Sequence, residues 1–250
     1  MLSWSPYAVL LEFDKTFQQL SEPVYIGNPA TDVFTDMGFA TDGEYLYVQS
    51  FYQTANSKPE DWAAHIYRYD LSLELIDSTI AHPESGSFVT GTSLVFLPAG
   101  GGTTGQDRLH IFSTNRDFGN VERIGIHTFA IRKDDLGVIA GSTQTIIEED
   151  LDAYFPTGPS WSEKHHVWFV GYTVEAEDGD IQTKEVGPSF VNVFDSEWRL
   201  LQQVQLNNGD PAMRVMTQTI GDDLYVVYDE MDKTGQTPSS KAKSEHFRIE

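Results

Sequence analysis

The stretch His65-Ile-Tyr-Arg-Tyr-Asp70 followed by Leu73-Glu-Leu-Ile-Asp-Ser-Thr-Ile-Ala81 decides the fold class. Aromatic and β-branched residues alternate with polar ones on both sides of Asp70, as in two half-buried strands joined by a tight turn. An Asp at such a turn accepts hydrogen bonds from amides of its own loop. The unit recurs as Val9–Asp14 with Gln18–Ile26, and as His127–Lys133 with Val138–Ile147 across Asp134-Asp135. A further copy is Phe190–Asp195 with Leu200–Leu206.

A second unit alternates with the first. It opens at Phe34-Thr35-Asp36-Met37-Gly38, Phe88-Val89-Thr90-Gly91 and Phe155-Pro156-Thr157-Gly158, with a weaker copy at Gly209-Asp210-Pro211-Ala212. Each opening leads through a polar turn to a strongly apolar strand: Tyr45–Ser50, Leu109–Ser113, Val167–Gly171 and Leu224–Tyr228. No amphipathic helix interrupts the series. Strand pairs returning every 50 to 70 residues, four strands per repeat, resemble an all-β β-propeller that takes up residues 1–250 as one domain. A two-sheet sandwich is the alternative.

With strands lettered A to D from the axis outwards, the N-terminal pair is a C–D pair with no A–B before it. The expected ring has four blades, the N-terminal pair completing the last one, because closure removes exposed sheet edges. The tail His246-Phe-Arg-Ile-Glu250 echoes His65–Tyr69, and as a strand C of its own it would leave a fifth blade incomplete.

Composition narrows the partners. Sixteen Lys and Arg against 38 Asp and Glu give a net charge of −22, which disfavours nucleic acid and anionic membrane surfaces. No apolar run is long enough to span a bilayer. Without cysteine there is no thiolate chemistry and no disulfide. The dispersed acids predict a soluble monomer. Met1–Asp14 has no basic signal-peptide start, so the compartment is extracellular or periplasmic if a leader has been removed and cytoplasmic otherwise.

Candidate site residues follow from the strand order. D–A and B–C connections share one face of a propeller, and long connections on a rigid scaffold carry function. The B–C connections run over 53–63, 115–124, 175–188 and 231–244. The Phe-x-Thr-Gly openings bring Asp32, Asp36, Thr90, Thr157 and Asp210 to the same face, with Glu84 and Asp152 just ahead of their openings. Convergent carboxylates either hold a hard cation such as calcium or divide acid and base roles between them; no other cofactor is implied. Trp62 and Trp161 offer flat rings for sugars, and His82 is the best-placed histidine. His165-His166 lies on a strand, where neighbours point to opposite faces and cannot share one ion.

The layout also resembles the propeller glycosidases of the arabinanase and xylosidase type. Asp36 (or Asp32), followed by Met37-Gly38-Phe39 and Tyr45–Val48, matches the first-blade base of that family. The second- and third-blade positions carry Thr90-Gly91 and Thr157-Gly158 in place of acids, and Glu163 is the nearest third-blade carboxylate. The leading expectation is a binding or scaffold propeller for a glycan or small polar ligand at the axial cleft. The alternative is a glycoside hydrolase using Asp36 with Asp210, Glu84 or Glu163.

Overall fold

The computed structural model describes residues 8–27, 32–52, 61–84, 93–99, 105–116, 124–148, 153–154, 158–175, 186–232 and 239–249. Strands β1 (Ala8–Leu10) and β2 (Val24–Ile26) form a hairpin. Then β3 (Asp32–Thr41), β4 (Tyr45–Tyr52), β5 (Ala63–Asp70) and β6 (Leu75–Ala81) make the first four-stranded sheet, in chain order. The second contains β7 (Ser93–Leu97), β8 (Arg108–Arg116), β9 (Ile124–Arg132) and β10 (Gln144–Ile147). In the third, β11 (Ala153–Tyr154) and β12 (Ser160–Ser162) both pair with β13 (Val167–Glu175), which is followed by β14 (Val186–Asp195) and β15 (Leu200–Gln205). The last contains β16 (Ala212–Ile220), β17 (Asp223–Asp232) and β18 (Ser239–Arg248). The first strands meet in turn, β3 against β7, β7 against β12 and β12 against β16. Four antiparallel sheets arranged in this way are the four-blade arrangement that the repeat predicts. Among the described residues no helix is long and apolar enough to cross a membrane.

The acidic turns form as their sequence dictates. Asp70 Oδ1 accepts the Ser72 and Glu74 amides at 2.8 and 2.9 Å. Asp14 does the same for Thr16 and Gln18, and Asp195 for Glu197 and Arg199. Each turn puts an apolar residue at positive φ: Phe17 (61°), Leu73 (62°), Leu136 (55°) and Trp198 (62°). Left-handed backbone is costly for such residues, and it persists where surrounding structure over-determines it. The side chains of Leu73, Leu136 and Trp198 are spent between sheets.

Alternation splits each sheet between two apolar layers. Leu46 and Val48 of β4 face the hairpin, with Leu10, Ile26 and Leu73. Tyr47 and Phe51 face the second sheet, against Leu94, Leu109, Ile111 and Leu136. Phe112 and Ile126 meet Trp168, Val170 and Phe194 in the next layer, where Trp198 stacks on Trp168 with centroids 5.1 Å apart. Phe169 and Val191 meet Val215, Leu224, Val226 and Tyr228 in the last. Two glycines permit close approach. A Cβ on Gly38 would lie 2.7 Å from the Leu94 nitrogen, and one on Gly171 would lie 2.7 Å from Val215 Cβ.

The seam is built differently in detail from the expected ring. The tail supplies β18, which pairs with β17 through ten registered positions from Asp223–Arg248 to Asp232–Ser239. That ladder occupies the outer edge of β17. Among the described residues the N-terminal strands therefore form a two-stranded sheet of their own, seated on the first sheet.

Candidate functional site

The inner strands of the first and last sheets both break register near their starts. On β3 the pairing jumps from Val33–Phe51 to Gly38–Gln49. On β16 it jumps from Met213–Asp229 to Met216–Val227. Bulges free backbone groups and re-aim side chains, and they recur beside active sites. Counting two residues back from the first pair after each bulge reaches Asp36 on β3 and Arg214 on β16. The break on β3 spans four residues and that on β16 two, and both fall opposite the same span of the second strand, so Asp36 and Arg214 each lie within a register break at the same end of two inner strands.

Arg214 has φ +54°, an uncommon backbone for a non-glycine residue, and its Nη1 lies 3.4 Å from Asp229 Oδ2 on β17. Below the β3 bulge, Gln49 is fully buried and both of its amide atoms lack a partner. A buried amide without partners is expensive, and this one packs against Gly38 at this end of the sheet.

The lead-in to β16 is pinned by a buried hydroxyl network. Ser189 Oγ donates to the Ala212 carbonyl at 2.7 Å, and Thr173 Oγ1 lies 2.9 Å from Ser189 Oγ. The Asn207 amide donates to Glu245 Oε1, which also accepts the Tyr228 hydroxyl. These bonds hold Asp210 exposed at the approach to the inner strand, where its own amide donates to the Asn207 carbonyl at 3.0 Å.

The other expected site residues are dispersed. Asp32 opens β3 opposite Tyr52. Thr90, Thr157 and Asp152, with most of the long B–C connections, lie outside the described residues. Glu84 follows β6, exposed, and accepts the Gly141 amide at 2.7 Å on the approach to β10, an outer strand. Glu163 lies in the β12–β13 turn, at the end away from the bulges, and accepts Trp161 Nε1–H at 3.1 Å. Trp161 itself packs on Trp168 at 5.1 Å, and Trp62 packs edge-on against Phe51 at 5.4 Å. His82 is exposed beyond β6.

Histidines serve mainly as packing. Burial holds His110 down at about 3, so it sits neutral among Phe112, Trp168 and Trp198. His127 is likewise lowered by burial, to about 4, beside Thr145 Oγ1. His246 instead stacks on Tyr225 over the outer face of the last sheet. Among the described residues no three His, Asp or Glu side chains cluster as metal ligands.

Arg214 is the functional candidate that strand patterning misses, because a bulge leaves no trace in alternation. Its signal is compositional: a lone arginine inside a strand-forming run of this acidic chain.

No protein-family model and no curated protein sequence matches the chain. Solved structures do. A levansucrase of B. megaterium matches at TM-score 0.53 and 10% identity, over 94% of this chain and 70% of that one. A Bacillus subtilis levansucrase in complex with oligosaccharides matches at 0.50 and 12%, over 94% and 72%. This chain is a β-propeller. Its identity to these structures is low enough that the likeness speaks for the fold alone. An α-L-arabinofuranosidase from Lactobacillus brevis also matches, at 0.49 and 10%, over 87% and 69%. The propeller spans between 41% and 74% of the length of eight of the solved structures it matches.

Proposed function

We propose that this propeller binds a glycan or a small polar ligand of the same hydrogen-bonding character at the inner-strand end bearing Asp36 and Arg214. The observation that carries the reading is the pair of register breaks, at the same end of β3 and β16, within which Asp36 and Arg214 lie. A carboxylate accepts from a sugar hydroxyl and a guanidinium donates to one, so such a pair reads adjacent hydroxyls from both sides. Freed backbone groups at the bulges add further partners. The shared fold with levansucrases, one of them solved with oligosaccharides, supports the ligand class.

Hydrolysis is the second reading, and the position of Asp210 favours it. Asp210 lies on the approach to β16 at the same end as Asp36, which makes these two the acid–base candidates. Glu84 and Glu163 lie away from that end.

The test is calorimetric titration with fructo-, xylo- and arabino-oligosaccharides, with product analysis of each mixture. Asp36→Asn and Arg214→Ala should each weaken binding ~10-fold at unchanged melting temperature, the loss of one charge-assisted hydrogen bond. Binding without cleavage supports the recognition reading; cleavage abolished by Asp36→Asn supports the second. Absence of heat with every sugar, or identical affinity in both variants, refutes the site.

A further inference from the structure

The pairs Tyr45–Asp70, Arg108–Arg132, Val167–Asp195 and Asp223–Arg248 put the second strands of the four sheets in a common register. Four residues on from each stand Gln49, Phe112, Gly171 and Val227. Phe112 packs into the aromatic layer shared with the third sheet, and Gly171 lets Val215 of β16 come close. Those positions fill the space between blades with an apolar group or with backbone, and Val227 is aliphatic as well. Gln49 is the exception, an amide in the layer between the first and second sheets.

Gln49 is fully buried, and among the described residues neither its Oε1 nor its Nε2 has a hydrogen-bond partner. It pairs with Gly38 of β3 on one side and Ile66 of β5 on the other. A Cβ built on Gly38 would stand 2.8 Å from Gln49 Oε1 and 2.7 Å from the Leu94 nitrogen, so the amide end lies where the inner strands of two sheets meet. Gly38 is also the first residue of β3 to regain register after the break that begins at Val33. Residues 34–37 have no register partner on β4. An unpaired amide thus adjoins an unpaired stretch of main chain, and Asp36 lies in that stretch. For stability alone an apolar side chain would serve better here, since a buried amide without partners keeps its full desolvation cost.

From this we infer that Gln49 is a positioning residue of the inner-strand site: when ligand engages Asp36, main-chain groups of residues 34–37 close onto the Gln49 amide, which holds the break in its bound shape. Nε2–H donates to a carbonyl of the break, and Oε1 accepts one of its amides. The cost falls on the free protein and is offset in the complex, the usual relation between strain and function beside a binding site. The inference rests on the reading of this end of the propeller as a ligand site, and it adds the residue that gives Asp36 its bound position.

Gln49→Met replaces the amide by an apolar side chain of nearly the same length. The variant should melt ~2–4 °C above the parent. It should also bind ~10-fold more weakly whichever of the fructo-, xylo- and arabino-oligosaccharides the parent binds. A merely structural glutamine would not move stability and affinity in opposite directions. Because Gln49 acts through Asp36, the double variant Asp36→Asn/Gln49→Met should bind no more weakly than Asp36→Asn alone. Hydrogen exchange should show sugar-dependent protection of the amides of residues 34–38 in the parent and none in Gln49→Met. A lower melting temperature in Gln49→Met overturns the inference, since the amide would then have partners that stabilise the free fold. So does unchanged sugar affinity. A double variant in which the two losses multiply to ~100-fold also overturns it, because Gln49 would then act independently of Asp36. In each of these cases the parent still binds sugar and loses affinity with Asp36→Asn, so the ligand site itself stands. A parent that binds none of the sugars overturns the site and this inference together.

Discussion

Replacing Asp42 by Asn tests how the first two blades are fastened. Asp42 sits in the β3–β4 turn with its side chain only 1% exposed, and Lys133, from the turn after β9, reaches its Oδ2 at 2.7 Å. The same carboxylate accepts the Glu44 and Tyr45 amides at 2.8 and 2.7 Å and the Tyr47 hydroxyl at 2.9 Å. Burial alone would raise its pKa. Lys133 and the three hydrogen bonds outweigh burial and hold the pKa at about 2. Against an ordinary Asp near 3.9, that difference corresponds to ~2–3 kcal/mol of stability at neutral pH. Because the folded-state value is depressed, the stabilisation is complete above about pH 4 and is lost as the pH falls from 4 towards 2. Urea unfolding should place Asp42→Asn ~2–3 kcal/mol below the parent at pH 7, with the gap about halved at pH 3. Lys133→Met should show the same narrowing, since it removes the partner. A gap that is equal at pH 7 and pH 3 would falsify the argument, because the other titrating groups are common to parent and variant and the change in the gap reports ionisation of Asp42.

Two further substitutions probe the layers between blades. Gly171→Ala places a methyl against Val215 Cβ and its carbonyl, between β13 and β16, and should cost ~1–3 kcal/mol in urea unfolding. A neutral result would mean that the third and last blades can separate freely. Trp168→Ala removes a fully buried ring that touches Phe112, Trp161 and Trp198, and should cost ~3–5 kcal/mol with a lower melting temperature. A loss under about 1 kcal/mol would show that this aromatic layer is loosely packed.

Exposure of Phe17 follows from the same repeat. It occupies the turn position of Leu73, Leu136 and Trp198, with the same positive φ, yet it is 88% exposed. Its counterparts are covered because another sheet or hairpin stands against their turns. On the last sheet Tyr225 and Val227, in register with Tyr47 and Gln49 of the first, are also largely exposed. Local sequence makes the turn in all four places, whereas neighbouring sheets determine which of the four side chains is buried.

What the sequence determined by itself was local and periodic. Alternation named nearly every strand, the Asp turns formed with their own amides, and the recurrence of both units gave the blade order, since each of these depends on residues only a few positions apart. Tertiary structure decided the seam, where β18 and the N-terminal pair carry equally strand-like sequences and only long-range pairing selects β17's neighbour. It also decided which carboxylates stand together at one end. Glu84 and Glu163 read as site acids by position in the repeat, but their hydrogen bonds tie them to an outer strand and to the opposite end. Arg214, like Asp36, lies within a register shift, and a shift of that kind arises from pairing between strands, which no single strand's pattern encodes.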